Sequence, residues 1–295
     1  MPAGKSHLFL FTLSAASLTN LILDPVFIFA LGMGTKGAAI ATVIGQFMGL
    51  LAGILINRRW NREITFAFTL RPDWSSVRTI LRVGVPSTLV QVLTSFVSIV
   101  MNTILLAFSS TAVAVFGVCN RMQGLCTVGV HGVDNGLIPI VAYNYGAWKP
   151  ERIRQAFRWA LVDSLLFFIP FLLLLEIAPG WVMQLFNASG VMMGIGAPAV
   201  RWMALAWLIS IPNLVVASSL QGLSLARPSM VLTMLRQAVL PALLALGLTL
   251  LGSLDWVWSA FVIAEALCIP LAIRMWSRNM QAVFAPQGKP EHGQG

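Results

Sequence analysis

Eight long apolar runs divide the sequence, at about 7–31, 37–57, 78–107, 111–143, 152–178, 191–223, 229–252 and 255–276. An α-helix needs about 20 residues to cross the hydrocarbon core of a bilayer, and each run is long enough. A soluble domain has about a quarter of its residues charged; here 10% are charged and 58% are hydrophobic. Too few charges remain to cover a water-exposed surface. The ten-residue alternating segments of a membrane β-barrel are not found. The expected fold is an all-α integral membrane protein with about eight transmembrane helices. Runs well beyond 20 residues imply tilt, or ends that protrude from the bilayer.

The formal charge of +9 raises nucleic acid as a partner. Location decides against it. All 19 Lys and Arg except Lys36, Arg121 and Arg201 are assigned to one set of alternating connections: Lys5, Arg58 to Arg82, Lys149 to Arg158, Arg227 and Arg236, and Arg274 to Lys289. That is the positive-inside pattern. It predicts a multi-pass protein of the plasma (bacterial inner) membrane with both termini cytoplasmic. Trp60, Trp74, Trp148, Trp181, Trp256 and Trp276 fall near run ends, as interfacial anchors do. The first run imitates a secretory leader but is too long for one, so a retained helix is expected. Residues 58–77 read as a basic cytoplasmic linker between two bundles, and 279–295 as a disordered cytoplasmic tail.

Enzyme chemistry finds no support. "GMGTKG" (Gly32 to Gly37) matches a dinucleotide fingerprint, but no acid follows until Glu63, and a tight turn between helices explains it. His7, His131 and His292 are scattered, and Cys119, Cys126 and Cys268 lie in apolar runs without a CxxC pair. No metal site and no organic cofactor is expected.

The informative residues are polar ones inside the runs. A charge at mid-bilayer costs about 2.5–3.5 kcal/mol by insertion scales, so each must face a partner or a wet cavity. Asp163 and Glu176 lie near run ends, where interfacial water serves them. Asp24 precedes Pro25, and the two are expected to form a structural helix break. Glu265 is central, either paired within the bundle or engaged in transport. Asp134 is the sharpest case. Arg121 precedes it by 13 residues on the same run, about 20 Å at 1.5 Å per residue, so the two cannot pair within one helix. Asn135, Gly136 and Pro139 beside it suggest an irregular helix lining a cavity.

Three stretches resemble the multidrug and toxic compound extrusion (MATE) transporters. "NLILDPVFIFALGMGTKGAAIATVIGQ" (Asn20 to Gln46) is similar to that family's fifth and sixth helices. "VGVPSTLVQVLTSFVSIVMN" (Val83 to Asn102) is similar to its seventh. "GVDNGLIPIVAYNYGA" (Gly132 to Ala147) resembles the eighth, with Asp134 and Asn135 where Asn and Gln are usual. Arg236-Gln237 ahead of Pro241 also fits. The resemblance implies two six-helix lobes that rock to give alternating access. On that pattern, 1–57 would be a remnant of the first lobe (its last two helices) and 78–278 the second lobe, with the first four helices absent.

The implied function is a secondary active antiporter that exports amphiphilic or cationic organic compounds in exchange for protons or sodium, in partial or truncated form. Its partners would be small organic substrates and the lipid bilayer. Asp134, Asn135, Gln91, Asn102, Asn213 and Gln221 are the cavity candidates this reading selects, with Arg121 and Glu265 beside them. Asp134 would carry protons or attract cations, and the amides would contact substrate. The coupling carboxylates that some members have in the seventh and tenth helices are replaced here by Gln91 and Thr94, and by Ser210 and Asn213. Two alternatives stay open: an inactive truncated paralogue or membrane assembly partner, and a lipid-precursor flippase. The flippase needs several cavity arginines, for which only Arg121 and Arg201 offer themselves.

Overall fold

The computed structural model describes residues 6–60, 73–186 and 188–284. Among these no strand occurs, so the all-α reading holds. The chain divides into two compact units, Met1–Trp74 and Ser75–Gly295.

The first unit is a helical hairpin of α1 (Ser6–Pro25) and α2 (Gly34–Trp60). At Pro25 the α-helix gives way to a π-helical turn, Val26–Ala30, so Asp24 and Pro25 stand where the helix changes character. Gly32 and Gly34 then reverse the chain with φ of 64° and 55°, a left-handed geometry that glycine adopts without strain. The GMGTKG stretch is therefore a turn. The hairpin closes through small residues. A Cβ at Gly45 would lie 2.8 Å from the Ala16 carbonyl oxygen, and one at Gly49 would lie 2.8 Å from the Ala16 methyl. Such four-residue spacing of small side chains lets membrane helices approach at backbone distance. Asn20 adds a polar tie, bridging Asp24 on its own helix and Thr42 on α2.

The second unit contains α3 (Trp74–Phe108), α4 (Ser110–Cys126), α5 (Val128–Gly146), α6 (Pro150–Ile177) and the short α7 (Pro179–Gln184). It continues with α8 (Gly190–Gly222), α9 (Ala226–Met234), a π turn Leu235–Val239, α10 (Leu240–Leu248) and α11 (Leu254–Val283). Serine hydroxyls cap three starts by accepting backbone N–H bonds: Ser109 from Ala112, Ser189 from Met192 and Ser253 from Asp255. α8 is the axis of the unit. α4, α5, α6 and α11 all pack against it, and Val200, Met203, Trp207, Ile211 and Val215 along its length are buried in one continuous core.

Among the described residues, six helices are long and apolar enough to cross a membrane, and α4 with α5 makes a seventh as a pair. The eighth expected span falls on α3, whose segment Ser95–Phe108 is a shorter apolar stretch. The run expected at 111–143 is not one rod: α4 and α5 meet at a bend of 50°. The irregularity was expected around Asn135 to Pro139, yet Pro139 lies inside α5 and the break is at Thr127. The Thr127 hydroxyl donates to the Gln123 carbonyl at 2.7 Å, a back-bond of the kind that bends helices. At the far end of the run, Asn144 donates to the Ile140 carbonyl, and Trp148 at φ 55° turns the chain into α6.

Two boundaries also differ from expectation. α11 continues past Arg278 to Val283, so a disordered tail cannot begin at 279. Of the linker expected at 58–77, residues 58–60 finish α2 and 74–77 begin α3, while 61–72 lie outside the described residues.

The hairpin geometry sets a test. A methyl at Gly53 would meet only the Thr12 Cγ2 atom at 3.6 Å, ordinary van der Waals contact. Gly45→Ala is therefore expected to destabilise the hairpin by about 1–3 kcal/mol through overpacking. Gly53→Ala should be neutral or stabilising, since alanine is favoured over glycine in a helix by about 1 kcal/mol. Equilibrium unfolding of both variants in micelles checks the contrast.

Candidate functional site

A cavity of about 240 Å³ opens within the second unit. Each wall can be traced to helical spacing. On α4, Phe116, Asn120 and Gln123 line it, separated by four and three residues and so on one face. α8 contributes Met203, Trp207 and Ser210, the π turn Arg236 and Gln237, and α11 Phe261 and Glu265. Aromatic rings therefore alternate with amides, a hydroxyl and one opposed pair of charges. Phe116 stacks on Phe261 with ring centroids 6.0 Å apart, which fixes the aromatic side.

The charged wall is a three-helix network. The Arg236 Nη1 atom donates to Glu265 Oε1 at 2.8 Å. Asn213 Nδ2, on α8, donates to Glu265 Oε2 at 2.8 Å and to the Glu265 backbone carbonyl at 3.0 Å. All three residues are buried: Asn213 is 0% exposed, Arg236 4% and Glu265 8%. Two other ion pairs occur among the described residues, Arg154–Glu151 and Arg201–Glu176, and both are solvent-accessible. Only Arg236–Glu265 is enclosed.

Backbone chemistry explains how Arg236 reaches this wall. Pro241 has no N–H to give the Gln237 carbonyl, and its ring crowds that carbonyl. The helix widens into the π turn Leu235–Val239 just ahead of the proline. A π turn rotates side chains off the ordinary helical face and is frequent at functional sites. The first unit has a second instance beside Pro25.

Asp134 lies elsewhere. It is buried, 5% exposed, and neither carboxylate oxygen has a hydrogen-bond partner. The polar groups that act on it are the Ser218 hydroxyl on α8 and, by charge, Arg236. Arg236 Nε is likewise without a partner. His131, one turn before Asp134 on α5, also feels the charge of Arg236. Among the described residues the buried ionisable side chains of opposite kind are thus one arginine, Arg236, and two acids, Glu265 and Asp134.

Of the residues selected from the sequence, Glu265 lines the cavity and Asn213 holds it from behind. The other candidates whose side chains are described do not line it. Arg121 is exposed while its neighbour Asn120 is in the wall, because successive helical residues point about 100° apart. The same rotation separates buried Asp134 from exposed Asn135. Asn102 is exposed on α3, and exposed Gln221 donates to Ser229 at 3.2 Å. The Gln91 side chain lies outside the described residues. Arg201 is taken up by Glu176 at the end of α6, its Nε donating to the Glu176 carbonyl at 3.3 Å.

One expectation is reversed: Arg236, assigned to the basic connections, is a buried cavity residue. The signal that could have found it is its position five residues before Pro241, within an apolar run. Asn120 and Gln123 were also missed; their spacing from Phe116 was the available sign.

Ionisable residues buried within membrane-spanning helices and bordering a cavity mark a candidate functional site. The family follows from the sequence. Residues 86–246 match the MatE family model, and the chain belongs to that family. Membership places it with transporters and not with enzymes.

Among curated relatives it is 24% identical to "Multidrug export protein MepA" of Staphylococcus haemolyticus (strain JCSC1435), over 86% of this chain and 56% of that protein. It is 23% identical to the protein of that name from Staphylococcus aureus (strain N315), over 84% of this chain and 55% of that one. The chain thus spans about half the length of the curated relatives it matches. Solved structures agree in fold. A MATE in the straight conformation superposes with a TM-score of 0.82 at 23% identity, over 95% of this chain and 64% of that one. Outward-facing and inward-facing forms described as a multidrug resistance MATE family transporter give 0.81 and 0.79.

The network predicts an asymmetry between neighbouring polar residues of α8. Asn213→Ala removes the two hydrogen bonds that its Nδ2 group gives Glu265 and should cost about 1–2 kcal/mol. Ser210→Ala removes only a local bond to the Trp207 carbonyl and should cost under about 0.5 kcal/mol. Denaturation in micelles measures the difference.

Proposed function

We propose that this chain carries the solute pathway of a secondary active antiporter, exporting amphiphilic organic compounds against inward movement of protons or sodium. One observation carries the reading. Within membrane-spanning helices, a buried Arg236–Glu265–Asn213 network forms one wall of a cavity whose other walls are Phe116, Trp207 and Phe261. Aromatic faces suit flat, apolar and cationic organic bodies. The amides and Ser210 supply neutral hydrogen bonds of adjustable direction. The names of the relatives, multidrug export proteins, support this substrate class.

Asp134 is the coupling residue in this proposal. A carboxylate buried on α5 near the Ser218 hydroxyl of α8, with no hydrogen bond formed on either oxygen, is completed by taking up a proton or a small cation. Its charge and that of Glu265 act on the same guanidinium. Filling or emptying Asp134 therefore changes the balance felt at the cavity wall, which links ion and solute through Arg236. The cavity of about 240 Å³ lies below the range of about 300–1,000 Å³ usual for small-molecule sites, so solute entry would require it to widen. The flippase reading is disfavoured: Arg236 is the arginine of the cavity, and Glu265 already neutralises it.

The test is accumulation of a fluorescent cationic dye in bacteria deprived of their own efflux pumps. Expression of the full chain should lower dye accumulation, and Asp134→Asn or Glu265→Gln should abolish at least about nine-tenths of that effect at equal membrane abundance, a loss of about 1.4 kcal/mol or more. If Asp134→Asn leaves a working protein unchanged, the coupling role is wrong. If the unaltered chain moves no dye, the export role is wrong for this chain.

A further inference from the structure

A second cleft, of about 310 Å³, lies where α6 begins and α11 ends. Its lining is unlike that of the first. Arg154 and Arg158 come from α6, Ser277 and Gln281 from α11, and no carboxylate lines it. The arginines are four residues apart, so their side chains leave one face of α6 about 6 Å apart. Phe157 and Trp276 form the floor, stacked with centroids 4.5 Å apart and planes 12° apart, and Met280 is buried beside them.

The two guanidinium groups are available. Arg158 has no ion-pair partner among the described residues, and Arg154 meets only Glu151, at 2.9 Å. That pair is 56% and 80% exposed at its side chains, and pairs so exposed hold weakly and exchange readily with a better anion. Two arginines whose one acidic partner is the exposed Glu151 form a site for a phosphate-type anion, which each guanidinium can grip with two parallel donors. Ser277 and Gln281, one turn apart on α11, add neutral donors at the rim.

The surroundings distinguish a lipid from a soluble anion. Continuing along the same face of α6, the positions after Arg158 are Val162, Leu165 and Ile169; Val162 and Ile169 are each 41% exposed, and Leu165 is half-buried. A charged pair thus leads into partly accessible apolar side chains along a membrane-spanning helix, with Trp276 near the end of an apolar run, where tryptophan commonly anchors helices. The order of phosphate site, aromatic floor and apolar track is the order of groups in a phospholipid. The excess of positive charge selects an anionic headgroup over a zwitterionic one.

We propose that this cleft binds the phosphate of an anionic phospholipid in the leaflet facing the basic connections, with an acyl chain lying along Val162 and Ile169. The site is separate from the cavity of the proposed transport pathway and shares no lining residue with it.

Native mass spectrometry of the full chain, extracted from nanodiscs of phosphatidylcholine mixed with phosphatidylglycerol, tests the assignment. The unaltered chain should retain phosphatidylglycerol in preference to phosphatidylcholine. The double variant Arg154→Gln/Arg158→Gln should lose that retention by roughly tenfold or more. The double variant Arg152→Gln/Arg278→Gln removes the same charge from exposed residues outside the cleft and should retain the lipid. Equal losses in both double variants would show diffuse surface attraction and overturn the site. Equal retention of phosphatidylcholine would overturn the headgroup choice. Displacement of the lipid from the unaltered chain by millimolar inorganic phosphate would reassign the cleft to a soluble anion, and it needs no variant to be read.

Discussion

A charge placed in hydrocarbon must be answered from within the protein, and the pair of Arg236 with Glu265 is where this chain meets that demand most fully. The pair joins the π turn before α10 to α11, and Asn213 fastens both to α8 through two bonds to the same glutamate. α8 is also the helix around which α4, α5, α6 and α11 pack. The polar network and the apolar core therefore share one axis. Removing either partner would leave a buried charge alone, a far larger penalty than the net gain of forming the pair. That imbalance makes the network a constraint on how the three helices can be arranged.

Asp134 shows the same constraint unmet. Its oxygens lack donors while Arg236, which acts on it, has an unused Nε donor. One guanidinium thus acts by charge on two carboxylates and bonds only Glu265. An arrangement that satisfied everything would be inert toward ions. This one leaves a buried carboxylate without a hydrogen bond, the feature on which the proposed coupling to a proton or sodium rests. Backbone irregularity produces the geometry: Pro241 widens the helix that carries Arg236, and Thr127 bends the rod that carries Asp134.

The helices themselves were legible in the sequence, because hydrocarbon demands length and apolarity, and both can be counted. The resemblance carried by Asn20 to Gln46, Val83 to Asn102 and Gly132 to Ala147 pointed to the family that the match over residues 86–246 establishes. Burial of Glu265 and Asp134 was also legible, since a mid-run acid has nowhere else to go. Their surroundings were not. Arg236 was assigned to the basic connections because the sequence does not tell an arginine that anchors a loop from one drawn inward by a π turn. Asn120 and Arg121 differ by one position, yet the first lines the cavity and the second is exposed. Proline and threonine misled in a similar way: Pro139 was the obvious breaker, but a helix interior tolerated it and the hydroxyl of Thr127 bent the rod.

The most direct measurement of the account is a double-mutant cycle between Arg236 and Glu265, read from equilibrium unfolding of the full chain in micelles. Arg236→Met and Glu265→Gln are the single changes, both close to the original volumes. If the buried pair organises the three helices, the double variant should recover about 2 kcal/mol or more of the summed single losses. A coupling energy within about 0.5 kcal/mol of zero would contradict the account, because the two charges would then be stabilised independently and the cavity wall would not be built on their contact.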